Sequence, residues 1–281
     1  MRPARLLGRR RGGGSAELLV LGSSCGDWTA LVRPGRRLRP GAEIEIAPDA
    51  VVRIESEALP PDGRRRISFP GWHGTPESLL ATHGHVPLPP YVRRPDSAED
   101  RERYQTVYAR EEGSVAAPTA GLHFTHDLLA ALAARGIGVA EVVLHVGPGT
   151  FRPVTADDVA DHRVDPEPFA LPAPTAEAIA RTRRAGGRVV AVGTTVARVL
   201  ETRAGDDGAV EPGEGATDLV IVPGHRFRGI DALVTNFHLP RSSLLLLVSA
   251  FAGRERVLAA YHQALALGYR FYSYGDAMLI S

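Results

Sequence analysis

Lysine is missing from this chain: all 33 of its basic residues are arginine. That excludes Schiff-base chemistry and a lysine general base. Cysteine occurs once, at Cys25, which excludes a disulfide framework and a thiolate metal site. Long apolar runs are missing too. The run at 244–248 is far short of the roughly 20 residues a bilayer span needs. No secretory apolar region follows Met1, and the arginine-rich start is not read as a transit peptide, because 17–21 continues directly into strand-like sequence. These absences fit a protein of the reducing cytoplasm. The net charge is only +1, so no global basicity announces nucleic acid. The distribution is less even than the sum. Residues 1–40 hold nine arginines against only Glu17 and Asp27, a local patch able to meet phosphates. The alternative is an exposed flank in an arginine-rich protein.

What is present is ordinary core material, 44% hydrophobic against 23% charged over 281 residues, enough for one large or two ordinary domains. Two textures divide it. Short apolar runs punctuated by Gly, Pro and Asp (16–21, 28–32, 43–46, 51–55, 66–69) predict a small all-β barrel or sandwich over 1–84, with a flanking strand. Pro87, Pro89 and Pro90 stiffen a connector, taken as 85–103. From 104 to 281 strands and helices alternate. Helices are expected at 126–135, 175–185, 195–203, 242–252 and 254–267. Strands are expected at 113–117, 139–145, 188–193, 218–222, 231–236 and 269–274. Such alternation argues for parallel strands with crossover helices, an α/β domain.

Placed on that map, the polar residues fall after strand C-termini. His123 sits in the Pro-Thr-Ala-Gly-Leu-His-Phe turn, ahead of Thr125 at a helix N-cap position. His145, Thr194 and Thr195, His225, Asn236 and His238, and Asp276 follow the other strands. In parallel α/β folds this rim is where ligands bind. His123, His145 and His238 are the acid/base candidates, since imidazole can take and give a proton near neutral pH; each also reads as a structural histidine. Thr194 and Thr195 start a helix whose N–H groups suit a carboxylate or phosphate, or merely cap it. Asp276 can orient a histidine, bind a ribose hydroxyl, or close an Asx turn. His73, His83 and His85 are too irregularly spaced, with no clustered cysteine, to make a metal site; no metal is expected.

The motifs resemble one family, the S-adenosylmethionine:tRNA ribosyltransferase-isomerases of queuosine biosynthesis. The resemblance rests on Pro3-Ala-Arg-Leu-Leu-Gly, Leu31-Val-Arg-Pro-Gly-Arg-Arg-Leu, Pro87-Leu-Pro-Pro-Tyr and the polar stretch 104–125. It continues through Leu144-His-Val-Gly-Pro-Gly-Thr-Phe-Arg-Pro-Val, Val192-Gly-Thr-Thr, Thr235-Asn-Phe-His-Leu-Pro-Arg-Ser and Tyr269-Arg-Phe-Tyr-Ser-Tyr-Gly-Asp-Ala-Met-Leu-Ile. It implies an α/β-barrel-like catalytic domain carrying a small β-barrel. It also implies transfer and isomerisation of the ribosyl group of S-adenosylmethionine onto a 7-aminomethyl-7-deazaguanine at the tRNA wobble position. Epoxyqueuosine forms, and adenine and methionine leave. The partners implied are a tRNA with a GUN-type anticodon and S-adenosylmethionine, which is substrate rather than cofactor; no other cofactor and no membrane are expected.

By the same resemblance His123 and His238 are assigned proton removal from the 5′ carbon and protonation of adenine, in unassigned order, with His145 third. Thr194, Thr195 and Arg198 go near the methionine carboxylate or the tRNA backbone. Asn236 and Asp276 go near the nucleoside, and Tyr104, Gln105, Thr119 and Gly121 join the substrate-binding set.

The chain departs from the family pattern at Val196, where a serine usually follows the threonines, and at Asp165, where a histidine is expected. It also begins almost at the Pro-Ala-Arg-Leu match, without the several dozen residues that usually precede it. A misassigned start is the favoured reading, and an incomplete barrel is the expectation if the start is real. The alternatives are a truncated relative that binds RNA or a partner without turnover, and a different S-adenosylmethionine-dependent ribosyl transferase.

Overall fold

The computed structural model describes residues 2–24, 26–60, 62–89, 91–110, 114, 116–147 and 159–281. Cys25, residues 113 and 115 of the strand expected at 113–117, and residues 148–154 of the Gly-Pro-Gly motif lie outside these; the described residues 114, 116 and 117 are not in a strand. The chain divides into two compact units, 1–103 with 112–116, and 104–111 with 117–281.

The first unit is a closed six-stranded barrel. Its strands are β1 (Arg5–Arg10), β2 (Ser15–Ser24), β3 (Asp27–Arg33), β4 (Glu43–Ala47), β5 (Ala50–Ile54) and β6 (Arg65–Ser68), paired in the order β1-β2-β3-β6-β5-β4. All pairs are antiparallel. Alternation builds the interior: Ala50, Val52 and Ile54 of β5 point inward between partly buried neighbours, and Leu6, Leu18, Val20 and Ile44 are likewise buried. Closure leaves no unpaired edge.

Two further segments plug the core. Leu38, in the turn after β3, is fully buried, and so are Leu79 and Leu80 of α1 (Pro76–His83). Helix α1 starts where it does because the Thr75 hydroxyl accepts from Ser78 N–H and Pro76 fits the first turn. Residues 85–103, expected as a connector, belong to this unit. His85 exchanges backbone hydrogen bonds with Arg5, and its Nδ1 lies 2.8 Å from Asp96. Arg94 makes a two-pronged ion pair with Asp100 at the start of α2 (Ala98–Arg103).

The second unit holds α3 (His126–Ala134), β7 (Val143–Leu144), β8 (Glu167–Leu171), α4 (Ala173–Arg184), β9 (Val190–Val192) and α5 (Thr194–Arg203). After these come β10 (Gly213–Thr217), β11 (Ala232–Asn236), α6 (Ser243–Ala252), α7 (Arg254–Ala266) and β12 (Ala277–Ile280). The helices fall within two residues of their expected bounds. The sheets depart from the parallel pattern. One is β10-β8-β7, antiparallel throughout; the other is β12-β11-β9, in which only β9 and β11 run parallel.

Two expected strands are not strands. At 218–222 the apolar side chains Leu219 and Ile221 join the core, but the backbone is met by side chains: Arg198 Nε donates to the Leu219 carbonyl at 2.9 Å. The ladder forms just before it, in β10, where the Phe169 ring lies against Gly215. Residues 269–274 form a loop, and the last strand follows at β12. The core of this unit gathers Ala191, Val199, Leu200, Leu233, Leu247 and Val248 between the β9–β11–β12 sheet and its helices. Among the described residues, no helix is long and apolar enough to cross a membrane.

Candidate active site

Strand β11 ends in Thr235 and Asn236, both buried, and the chain turns outward through Phe237 to His238. The Asn236 amide nitrogen donates to His123 Nε2 at 3.0 Å and to the Tyr272 carbonyl at 3.1 Å. Three distant segments thus meet on one side chain. With its Nε2 accepting, His123 carries its proton on Nδ1. The other end of the amide, Asn236 Oδ1, is buried and has no hydrogen-bond partner among the described residues. A buried acceptor left without a partner at the end of a strand is suited to a ligand's N–H or O–H.

His123 closes a 3-10 turn, Thr119–His123, rather than lying on a simple strand-to-helix turn. Thr125 behind it caps α3 as its sequence promised, accepting from Leu128 N–H. Gly121 in this turn has no room for a side chain: a Cβ would sit 2.1 Å from the Tyr108 hydroxyl and 2.8 Å from Thr106 Cγ2. Burial, and then the charge of Glu141, pushes the Tyr108 phenol up from its usual range. The same turn abuts the start of α5. Gly193, at φ +98°, bonds through its N–H to the Val234 carbonyl, and a Cβ there would stand 3.7 Å from Ala120. Helix α5 then begins at buried Thr194 and partly buried Thr195 with no side-chain cap. Its first N–H groups and the positive end of its dipole stand beside the His123 turn.

His238 is half-buried. Its Nε2 lies 2.7 Å from Thr235 Oγ1, and its backbone N–H donates to the Tyr261 phenol oxygen at 2.7 Å. Burial pushes its imidazole down to about 4, and pushes the Tyr261 phenol up to about 12. Both are therefore neutral at pH 7. Phe237, Tyr261 and Phe271 pack ring on ring around this corner, with centroids 4.8–5.5 Å apart.

The loop 270–276 completes the arrangement. Tyr272 adopts a left-handed φ of +73°, unusual for an aromatic residue, and its N–H bonds to the Phe237 carbonyl. Tyr104 is buried as the anchor of this loop, its hydroxyl 3.3 Å from Ser273 and its ring tilted against Tyr274. Gln105, which follows Tyr104, and Thr119, which starts the 3-10 turn of His123, are partly buried.

Three expected site residues are placed elsewhere. Arg198 is buried on the far side of α5's start, its Nη1 2.5 Å from Glu167 and its Nε and Nη2 on the Leu219 and Thr217 carbonyls. Its guanidinium ties α5 to β8 and the 217–219 backbone, so the partners it has among the described residues are protein groups. Asp276 is exposed and accepts from Arg270 N–H while its own N–H bonds back to Arg270, so it closes the loop before β12. His145 is exposed at the end of β7, in the other sheet, its backbone N–H on Pro168. Sequence reasoning missed Thr235, Tyr261 and Tyr272. Thr235 and Tyr272 sit inside motifs already singled out, but only the fold shows which member of each motif faces the histidines. A separate cleft of about 420 Å³, walled by Trp28, Phe69 and Trp72 with Glu55 and Arg66, belongs to the barrel unit.

Comparison with known proteins gives consistent matches. The family model described as "Queuosine biosynthesis protein" matches residues 1–280. The S-adenosylmethionine:tRNA ribosyltransferase-isomerase of Moorella thermoacetica is 53% identical over 280 residues, covering 99% of this chain and 81% of that protein. Its counterpart from Pelobacter propionicus is 51% identical over 282 residues, with the same coverage. The crystal structure of S-adenosylmethionine tRNA ribosyltransferase from Thermotoga maritima is 36% identical, covers 99% of this chain and 78% of that one, and superposes with a TM-score of 0.48.

Proposed function

Because this chain belongs to the queuosine biosynthesis protein family, we propose that it is an S-adenosylmethionine:tRNA ribosyltransferase-isomerase. The observation that carries this is identity of about 50% to proteins of that name over 99% of the chain. The enzyme moves and isomerises the ribosyl group of S-adenosylmethionine onto 7-aminomethyl-7-deazaguanine at the wobble position of a GUN-anticodon tRNA. Epoxyqueuosine is the product, with adenine and methionine released. S-adenosylmethionine is consumed as substrate, and the tRNA substrate puts the enzyme in the cytoplasm. The chemistry sits in an α/β-barrel-like catalytic unit to which the two sheets of residues 104–281 contribute.

The sulfonium acidifies the ribose 5′ carbon, so a base removes that proton, and adenine needs a hydrogen bond or proton as it leaves. An imidazole held at about 4 is a poor acceptor at neutral pH, which argues against His238 as the base. We assign proton removal to His123, whose Nε2 lone pair takes the proton once the substrate displaces the Asn236 N–H from it, and a neutral hydrogen-bonding role toward the leaving base to His238. The orphaned Asn236 Oδ1 accepts from the nucleoside, and the uncapped start of α5 at Thr194 and Thr195 receives the methionine carboxylate. Gly121, Thr119, Tyr104 and Gln105 shape and hold the turn and loop around these groups.

The test is adenine release from S-adenosylmethionine with and without precursor tRNA, with the modified nucleoside identified by mass. Release only with tRNA, together with an epoxyqueuosine-sized product, is expected. Release without tRNA, or none under either condition, sinks the reading. On the same assay His123→Ala is expected to lose at least 100-fold in kcat, and a near-wild-type rate removes His123 as the base.

A further inference from the structure

The arginines that crowd residues 1–40 are brought to one end of the barrel by its register. Arg9 of β1 pairs with Ser15 at the start of β2 and with Glu45 of β4, while Arg33 at the end of β3 pairs with Glu17 of β2. The β1–β2 hairpin tip, the end of β3 and the turn that follows it therefore share an end.

That turn is fixed, not loose. A 3-10 turn runs Gly35–Arg37, Leu38 drops fully into the barrel core, and the buried Arg65 donates from Nη2 to the Gly35 carbonyl at 2.9 Å. With Leu38 committed inward, Arg36, Arg37 and Arg39 are left exposed to solvent.

Carboxylates at this end are few and mostly engaged. Glu43 accepts from Arg11 and Arg53, and Glu17 from Arg5. Glu45 is the cross-strand neighbour of Arg9 on one side and Val51 on the other. Among the described residues, Arg33, Arg36, Arg37 and Arg39 have no ion-pair partner. Four unpaired guanidiniums on one rigid end repel one another in water, and they suit an array of phosphates.

We propose that this end of the barrel is a docking surface for the phosphate backbone of tRNA, with Arg36, Arg37 and Arg39 as its principal contacts. It rests on tRNA being the substrate and adds where the barrel unit engages it. The surface reads charge and spacing, not sequence, so it binds a tRNA transcript whether or not the wobble base has been modified.

The test measures binding of an unmodified tRNA transcript by fluorescence anisotropy between 50 and 300 mM salt (about the range in which phosphate contacts titrate). The variant is Arg36→Gln/Arg37→Gln/Arg39→Gln. The control is Arg254→Gln/Arg256→Gln, which removes exposed charge from α7 of the other unit. The triple variant is expected to bind on the order of 50-fold more weakly at about 0.15 M salt, and to lose about 2 from the slope of log K against log salt. The control is expected to stay within about twofold, and S-adenosylmethionine affinity to be unchanged in both. An equal loss in triple variant and control shows only general attraction and overturns the proposal, as does an unchanged slope. If the triple variant's unfolding temperature falls, the three single variants carry the test, each expected to lose about fourfold and about 0.7 in slope. Adenine release by the wild type is scored separately, so failure of the surface and failure of the assigned reaction are told apart.

Discussion

Asn236 organises the candidate site through one amide. It holds the His123 ring, ties down the Tyr272 carbonyl, and leaves its own oxygen without a partner among the described residues. Replacing it by Asp puts a carboxylate at a buried position facing the Tyr272 carbonyl, so Asn236→Asp is expected to lower activity more than Asn236→Ser, measured as kcat for adenine release. Gly121 is constrained more simply. Gly121→Ala drives a methyl into the Tyr108 hydroxyl, and should cost about 1–3 kcal/mol of stability by overpacking, read by urea unfolding. His238 gives a pH signature. Its folded pKa of about 4 lies below the roughly 6.5 of an unfolded histidine. The unfolded chain therefore binds the proton first, and stability falls as pH drops from about 6.5 to about 4, then levels off. The loss attributable to this group is at most about 3 kcal/mol, since part of the residue still meets water. His238→Gln should flatten that interval of the stability profile, and an unchanged profile would refute the assignment. His145 and His238 were legible in sequence as polar residues after strands, and His123 as a turn residue ahead of a helix N-cap. The left-handed Tyr272 was not, because a positive φ on an aromatic residue is imposed by tertiary contacts.

At the scale of elements, the barrel strands were legible because their inward residues alternate, as in Ala50, Val52 and Ile54. The run at 218–222 misled because an apolar run reports burial, not ladder pairing. Its Leu219 carbonyl is met instead by Arg198, a residue about twenty positions away. That guanidinium joins α5, β8 and the 217–219 backbone, and no local pattern announces partners at such separations. Arg198→Lys keeps the charge but cannot reach Glu167 and both carbonyls at once. It is expected to lower stability by about 3 kcal/mol, within the range for breaking a buried pair, while S-adenosylmethionine affinity of the folded fraction stays near wild type. A selective loss of affinity without loss of stability would restore Arg198 to the binding site.

At the scale of the whole molecule, the groups proposed to bind S-adenosylmethionine and the arginines proposed to dock tRNA fall in different units. The groups read as binding the small substrate, at 119–123, 193–195, 235–238 and 270–276, all lie in the second unit. Hydrogen exchange with and without S-adenosylmethionine is therefore expected to slow in those four segments and stay at baseline in β1 to β6. Protection spread evenly over both units would contradict that division. The alternation of strands and helices made the existence of this second unit legible, whereas its mixed sheets were not, since strand direction depends on pairings the sequence does not spell out.

The burial of Leu38 carries a last consequence, for kinetics. Because that side chain is locked in the barrel interior, the backbone that carries the neighbouring arginines is fixed before the proposed tRNA contact forms, and binding forfeits little of the turn's backbone freedom. Leu38→Ala keeps every charge but frees the turn. The encounter with tRNA, steered by charge, should proceed at an unaltered rate, while the complex should fall apart sooner, so the effect appears as a shortened residence time.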